Sequence, residues 1–199
     1  MNTYQCINDI INVDERKQLL SEAMSYNYET NITKGIYPPK VSYYHNHKIY
    51  KGTPTGIQVV STYKGAVPIV GLVKEMINKT NPKLGFFIAV FMKFAPKDGT
   101  GIGSKNYGIH KDDHRGRTSC ITWALYPELK DFSPIKYYNE DETFNEAVYY
   151  KEKPLIITTR NNHSVDNKSE EARYTFQICF YDPIEKLAEL DQKGELFIW

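Results

Sequence analysis

Three side chains in this sequence have the types and spacing to hold a metal ion. In Tyr107-Gly108-Ile109-His110-Lys111-Asp112 a histidine and an aspartate stand two residues apart, and on an extended strand such residues point to the same side. Fifty-three residues after His110, the segment RNNHSVDN supplies a second imidazole, His163. With His163 on a neighbouring strand, two nitrogens and one oxygen converge on one face of an ion. That face leaves three metal positions open, which suits iron(II) that must bind a bidentate oxo-acid and then dioxygen. A catalytic zinc ion needs only one open position.

Arg173 opens the apolar run RYTFQICFYD, ten residues after His163. Its planar guanidinium can clamp a carboxylate with two parallel hydrogen bonds while the keto-acid end of the same molecule chelates iron. Thr175, two residues on and on the same face, adds a hydroxyl. The competing reading of Arg173 is a structural ion pair with Glu170 or Glu171; its distance from His163 favours the ligand role.

Other candidates near these residues are weaker. Asp113 follows Asp112 directly, so on a strand it faces the opposite way. His114 makes an i, i+4 pair with His110, but Gly108 and Gly116 flank that pair and no glutamate follows the first histidine as in helical zinc motifs. His45 and His47 share one face of a possible strand without an acidic or cysteine partner nearby, and are read as surface residues. Tyr107, Trp123 and Tyr126 divide between core aromatics and ligand contacts.

The elements that must position these residues can be read from hydrophobic patterning. GFFIAVFMKF, RTSCITWALY, KPLIITT and RYTFQICFYD are apolar or alternating runs bounded by Gly, Pro, Asn and Asp, and predict strands of one antiparallel sheet system. Before them, DERKQLLSEAMSY places Leu19, Leu20, Ala23 and Met24 on one helical face, with Asn12 or Asp14 as N-cap. VPIVGLVKEMINKTNP predicts a second helix, with Pro68 in its first turn and Asn81-Pro82 as its stop. Residues 29–56 are polar, rich in tyrosine and interrupted by prolines, and predict a long loop with one irregular strand near 41–50. Pro183 to Gly194 returns to a helical pattern through Ile184, Leu187 and Leu190.

Taken in order, H-x-D, a distal His and R-x-T before an apolar strand resemble the signature of the iron(II)- and 2-oxoglutarate-dependent oxygenases. The resemblance covers about 86–182. It implies a mainly β fold with flanking helices, a double-stranded β-helix (jelly-roll, cupin-like) core at about 86–182. Helical support at about 12–80 and a C-terminal helix at about 183–194 complete a single domain over 1–199. It implies His110, Asp112 and His163 as iron ligands and catalytic residues, and Arg173 and Thr175 as co-substrate contacts. Within that superfamily the wording is most similar to the prolyl hydroxylases: Tyr107 before the histidine, the strand Thr122-Trp123-Ala124-Leu125-Tyr126, and the closing RYTFQICFYD. That analogy puts Thr122 in the co-substrate pocket and Tyr126 beside the distal carboxylate. Two features depart from it. Phe94 stands where many relatives carry a pocket tyrosine, and KYYNEDETFNE replaces the Gly-Gly element between the histidines.

The activity so implied is hydroxylation of a C–H bond, with iron(II), 2-oxoglutarate and dioxygen consumed and ascorbate as a stimulant. The preferred substrate is a prolyl or other residue of a peptide or protein. The alternatives are a small-molecule hydroxylase, a nucleic-acid demethylase, or a non-redox cupin-like metal-binding domain. Arg173 and Thr175 argue against the last, which needs no clamp for a distal carboxylate.

Composition narrows the partners. The 199 residues carry a net charge of +1, which offers neither a broad basic field for nucleic acid nor a polybasic membrane anchor. The 16 tyrosines and 9 phenylalanines favour strands. Three widely spaced cysteines, Cys6, Cys120 and Cys179, predict neither a disulfide framework nor a zinc ribbon. The start of the chain lacks the pattern of a signal peptide, so a reducing cytoplasm is the expected location.

Overall fold

The computed structural model describes residues 3–25, 56–60, 66–68, 71–94, 106–112, 116–127, 132–150 and 152–198. His45, His47, Asp113, His114 and the tyrosine-rich segment 29–55 lie outside them.

The strands, in chain order, are β1 (Tyr4–Cys6), β2 (Gly56–Val60), β3 (Ala66–Pro68), β4 (Phe86–Phe94), β5 (Asn106–His110) and β6 (Ser119–Tyr126). They continue with β7 (Ile135–Tyr138), β8 (Phe144–Val148), β9 (Leu155–Thr158), β10 (His163–Asp166) and β11 (Arg173–Phe180). Among the described residues they form a seven-stranded sheet of order β1-β9-β6-β11-β4-β2-β3 and a four-stranded sheet of order β5-β10-β7-β8. From β4 onward the chain passes repeatedly between the two sheets, staying in one only for the β7–β8 hairpin. That winding of antiparallel strands into two facing sheets is a double-stranded β-helix. One pairing departs from the antiparallel expectation: β2 runs parallel to β4.

The helices are α1 (Val13–Ser25), α2 (Gly71–Lys79) and α3 (Ile184–Gln192). Asn12 caps α1 with its Oδ1, which accepts from the N–H groups of Asp14 and Glu15, both at 2.9 Å. The Glu15 carboxylate accepts the Asn12 N–H in return, at 2.7 Å. This reciprocal box satisfies helix-end donors that would otherwise lack partners. Asn12→Ala is therefore expected to lower stability by about 1 kcal/mol, measured as a shift of the denaturant midpoint at unchanged slope. Helix α2 starts later than its sequence predicts. Pro68 ends β3 instead of opening the helix, and Gly71 enters it at φ +55°, a conformation that glycine adopts without the penalty of a Cβ. At the other end, the Gly194 and Glu195 N–H groups cap α3 by bonding the Asp191 and Leu190 carbonyls.

Alternation along the central strands divides the core in two. Ile121, Trp123, Phe176, Ile178 and Phe180 face the helices and pack with Leu19, Ala23, Val73, Met76 and Leu187. Cys120, Ala124, Leu155, Ile157 and Cys179 face the second sheet and pack with Ile135, Tyr137 and Val148. The helix layer thus holds the back of the larger sheet, and the inter-sheet space is left to the chemically interesting residues.

Candidate metal and carboxylate site

The metal-ligating candidates sit at the rim of the four-stranded sheet. His110, the last residue of β5, pairs in register with His163, the first residue of β10. Their ring centroids are 4.4 Å apart. Asp112 lies just past the strand end, because nothing in β10 extends the ladder beyond His163. Its N–H instead donates to the Thr159 carbonyl at 2.8 Å, which holds it against both histidines. His163 Nε2 is 3.6 Å and His110 Nε2 is 3.8 Å from the same oxygen, Asp112 Oδ2. One donor atom from each of the three residues lies within 4.8 Å of the others.

His163 and Asp112 are oriented from behind. His163 is buried, and its Nδ1 lies 2.9 Å from the Asn161 carbonyl, which leaves Nε2 directed at Asp112. Arg117 makes an ion pair with Asp112 Oδ2 and donates from Nε to the Asp112 carbonyl at 3.3 Å. Burial alone would raise the Asp112 carboxyl. The Arg117 charge and hydrogen bonds from His110 and His163 outweigh it and hold the group far below the ordinary carboxylate range. The charged form of Asp112, the form that ligates a metal, is thereby favoured. Nothing in the sequence pattern singled out Arg117; only its return beside Asp112 at the start of β6 shows what it does.

Deeper between the sheets, Arg173 is 1% exposed. It opens β11 opposite Phe94 on β4, and its guanidinium carbon lies 4.1 Å, 5.2 Å and 5.3 Å from the ring centroids of Phe132, Phe94 and Tyr150. Nη1 donates to the Ser133 carbonyl at 3.1 Å. The aromatic box keeps the cation out of water, where a charge-assisted bond is strong. Thr175 follows on the same face, and its buried Oγ1 finds no hydrogen-bond partner among the described residues. A buried hydroxyl left in that condition beside a guanidinium is the donor arrangement an anionic ligand would complete.

Thr122 also faces this space, with Oγ1 3.3 Å from the Tyr150 hydroxyl. Tyr150 is buried; burial pushes its phenol up, while the Arg173 charge and hydrogen bonds from Thr122 and Arg173 act the other way. Tyr126, expected in this pocket, is elsewhere. The pairing of β6 with β11 runs from Thr175↔Ala124 to Tyr174↔Tyr126, so Leu125 is the extra residue of a bulge. Beyond it Tyr126 shares the helix-facing side with Tyr174, and its hydroxyl donates to Glu171 at 2.5 Å. The buried tyrosine beside Arg173 is Tyr150, which follows β8 and arrives from the opposite sheet.

Compared with known protein families and with curated proteins, the chain matches none. Among solved structures it is similar to a Pseudomonas putida prolyl-4-hydroxylase, at 12% identity and TM-score 0.46 over 90% of this chain and 86% of that one. It is also similar to a Trichoplax adhaerens prolyl hydroxylase in complex with a hypoxia inducible factor oxygen degradation domain peptide fragment. There the identity is 13% and the TM-score 0.49, over 98% and 86%. A third is the viral collagen prolyl hydroxylase of Paramecium bursaria Chlorella virus-1, at 15% identity and TM-score 0.43 over 90% of each chain.

Proposed function

We propose that this chain is an iron(II)- and 2-oxoglutarate-dependent oxygenase that hydroxylates a C–H bond, with a prolyl or other residue of a peptide or protein as the substrate class. The observation that carries the reading is the coexistence, in one inter-sheet space, of the His110–Asp112–His163 face and the boxed Arg173 with Thr175 beside it. A metal-binding domain without a co-substrate has no use for the second feature.

The residues present fit both groups. Two imidazoles and one carboxylate held in its charged form by Arg117 are the borderline and hard donors that suit iron(II), and they occupy only one face of it. When bound, iron(II) and 2-oxoglutarate supply the oxidising chemistry: the keto acid loses carbon dioxide to give succinate as one oxygen atom enters the substrate C–H bond. The protein's own work is positional. The Asn161 carbonyl fixes the His163 tautomer, Arg117 orients the Asp112 carboxylate, and Arg173 with Thr175 holds the far carboxylate of the co-substrate. The two sheets keep water from the clamp. Single-domain organisation over 1–199 is part of this proposal, as the supporting helices pack on the same sheet that carries Arg173. Among the described residues no helix is long and apolar enough to cross a membrane.

Tyr150 and Thr122 are assigned to the same carboxylate end. Tyr150→Phe removes one hydroxyl and leaves the ring on Arg173. It is expected to weaken 2-oxoglutarate binding by about 1.5–3 kcal/mol, the usual worth of a hydrogen bond to a charged group. Tyr126→Phe is expected to change it little. The test is conversion of 2-oxoglutarate to succinate by the full chain with iron(II) in air, first alone and then with a peptide library. The proposal requires a raised KM for 2-oxoglutarate in Tyr150→Phe only, and stimulation by a peptide. No succinate from folded, metal-loaded wild type would reject the oxygenase reading.

A further inference from the structure

Two buried thiols stand close to the metal face and take no part in the function above. Cys120 on β6 and Cys179 on β11 are register partners on adjacent antiparallel strands, both on the inter-sheet side and both 1% exposed or less. Directly opposed residues in such a pair have Cα atoms about 4.5–5.5 Å apart, inside the range a disulfide spans. The Arg117 side chain ties this pair to the candidate metal ligand. Its Nη1 lies 3.7 Å from Cys179 Sγ, and its Nη2 holds Asp112.

We propose that Cys120 and Cys179 form an oxidative modification site, a dithiol that hydrogen peroxide closes to a disulfide, linked through Arg117 to Asp112. Burial disfavours ionisation of both thiols. Burial and the hydrogen bond with Cys179 push Cys120 well up. For Cys179, the hydrogen bond from Cys120 and the Arg117 charge overcome burial and lower it. With Arg117 hydrogen-bonded to Cys179, Cys179 is the sulfur favoured as nucleophile. On the same face Gln177, two residues from Cys179 on β11, is only partly buried although its strand neighbours are buried, so solvent reaches that face within two residues of the pair.

The chemistry balances without any further reactant. The Cys179 thiolate attacks one peroxide oxygen, an S–O bond forms, the O–O bond breaks, and hydroxide leaves and takes up the thiol proton as water. Cys120 sulfur then attacks Cys179 sulfur, the S–S bond forms, the S–O bond breaks, and the second water carries away the Cys120 proton. Two thiols lose two electrons in all and peroxide gains two. Bonding draws the sulfurs together to about 2.05 Å, which pulls Cys179 away from Arg117 and leaves the guanidinium to Asp112 alone. A tighter Arg117–Asp112 pair competes with a metal for that carboxylate.

The test uses the full chain carrying Cys6→Ser, which removes the third thiol, treated with hydrogen peroxide and mapped by mass spectrometry after proteolysis. The expected result is joint loss of both thiols, a Cys120–Cys179 cross-linked peptide lighter by two hydrogens, and full reversal by dithiothreitol. Persistent thiols, or oxygen added to each cysteine separately, would overturn the assignment. Manganese(II) titration, followed by electron paramagnetic resonance, reads the link to Asp112: affinity should fall several-fold in the oxidised protein and return on reduction. Equal affinity in the two forms would overturn that link. The mapping does not depend on the oxygenase reading, so the two fail separately. Because Cys6 is half-buried on β1 and packs against the inter-sheet core, so that Cys6→Ser can disturb the fold, the same mapping on the wild-type chain stands as a second measurement with the same deciding outcomes.

Discussion

His163→Ala is expected to abolish turnover and to lower metal affinity by more than about 100-fold, the upper end of what losing one supporting partner of a ligand costs. The size of the effect follows from how the site is built. His163 is buried, fixed by the Asn161 carbonyl, and paired in register with His110, so no other described imidazole can move into its place. Only His110 and Asp112 remain, and a two-donor site on a strand end holds a divalent ion poorly. Metal titration of the variant, with circular dichroism to show that the fold persists, checks the expectation. Metal affinity within tenfold of wild type in a folded variant would remove His163 from the site.

Arg173→Ala is expected to weaken 2-oxoglutarate binding by about 2–5 kcal/mol, as when one partner of a buried charge pair is truncated. The guanidinium sits among Phe94, Phe132 and Tyr150 with water excluded, so no solvent charge substitutes for it. Iron affinity should change little, since Arg173 is not among the donors. Arg173→Lys should recover part of the loss: an ammonium keeps the charge but lacks the planar fork and stacks less well on the rings. Titration of 2-oxoglutarate into metal-loaded wild type and both variants separates these outcomes. Unchanged affinity in Arg173→Ala would contradict the assigned clamp and favour a metal-binding domain without a co-substrate.

Several features of the fold were legible because they depend on local pattern. The alternation of Cys120, Thr122 and Ala124 with Ile121 and Trp123 marks a strand with two different faces, and the structure sends those faces to the second sheet and to the helices respectively. Leu19 and Ala23 were readable as the inward stripe of α1, although Met24 proves exposed and Leu20 only half-buried. The β7–β8 hairpin was not legible. Its turn, Asn139 to Thr143, is wholly charged or polar, so KYYNEDETFNE lacks the sustained apolar run that marks the other strands. The structure makes it two paired strands.

Missing that hairpin also concealed Tyr150, which follows β8 and reaches Arg173 only through the facing of the two sheets. Tyr126 was misplaced for a different reason. Simple alternation puts it on the inward side with Thr122, and the Leu125 bulge that reverses the side has no signature in composition or spacing. Arg117 was likewise out of reach of spacing rules, since no motif pairs an arginine with an aspartate five residues before it. Residue types that do chemistry can be found by pattern. The neighbours that tune them are set by register and by which sheets face each other.

The central claim is that one chain binds iron(II) through His110, Asp112 and His163 and, on the same metal, the keto-acid end of 2-oxoglutarate. The direct measurement is the visible absorption of the full chain mixed with iron(II) and then titrated with 2-oxoglutarate in the absence of oxygen. The account predicts a charge-transfer band that grows to saturation with 2-oxoglutarate, is missing in Asp112→Ala, and needs far more 2-oxoglutarate in Arg173→Ala. Folded, iron-loaded wild-type protein that develops no such band at saturating 2-oxoglutarate would contradict it.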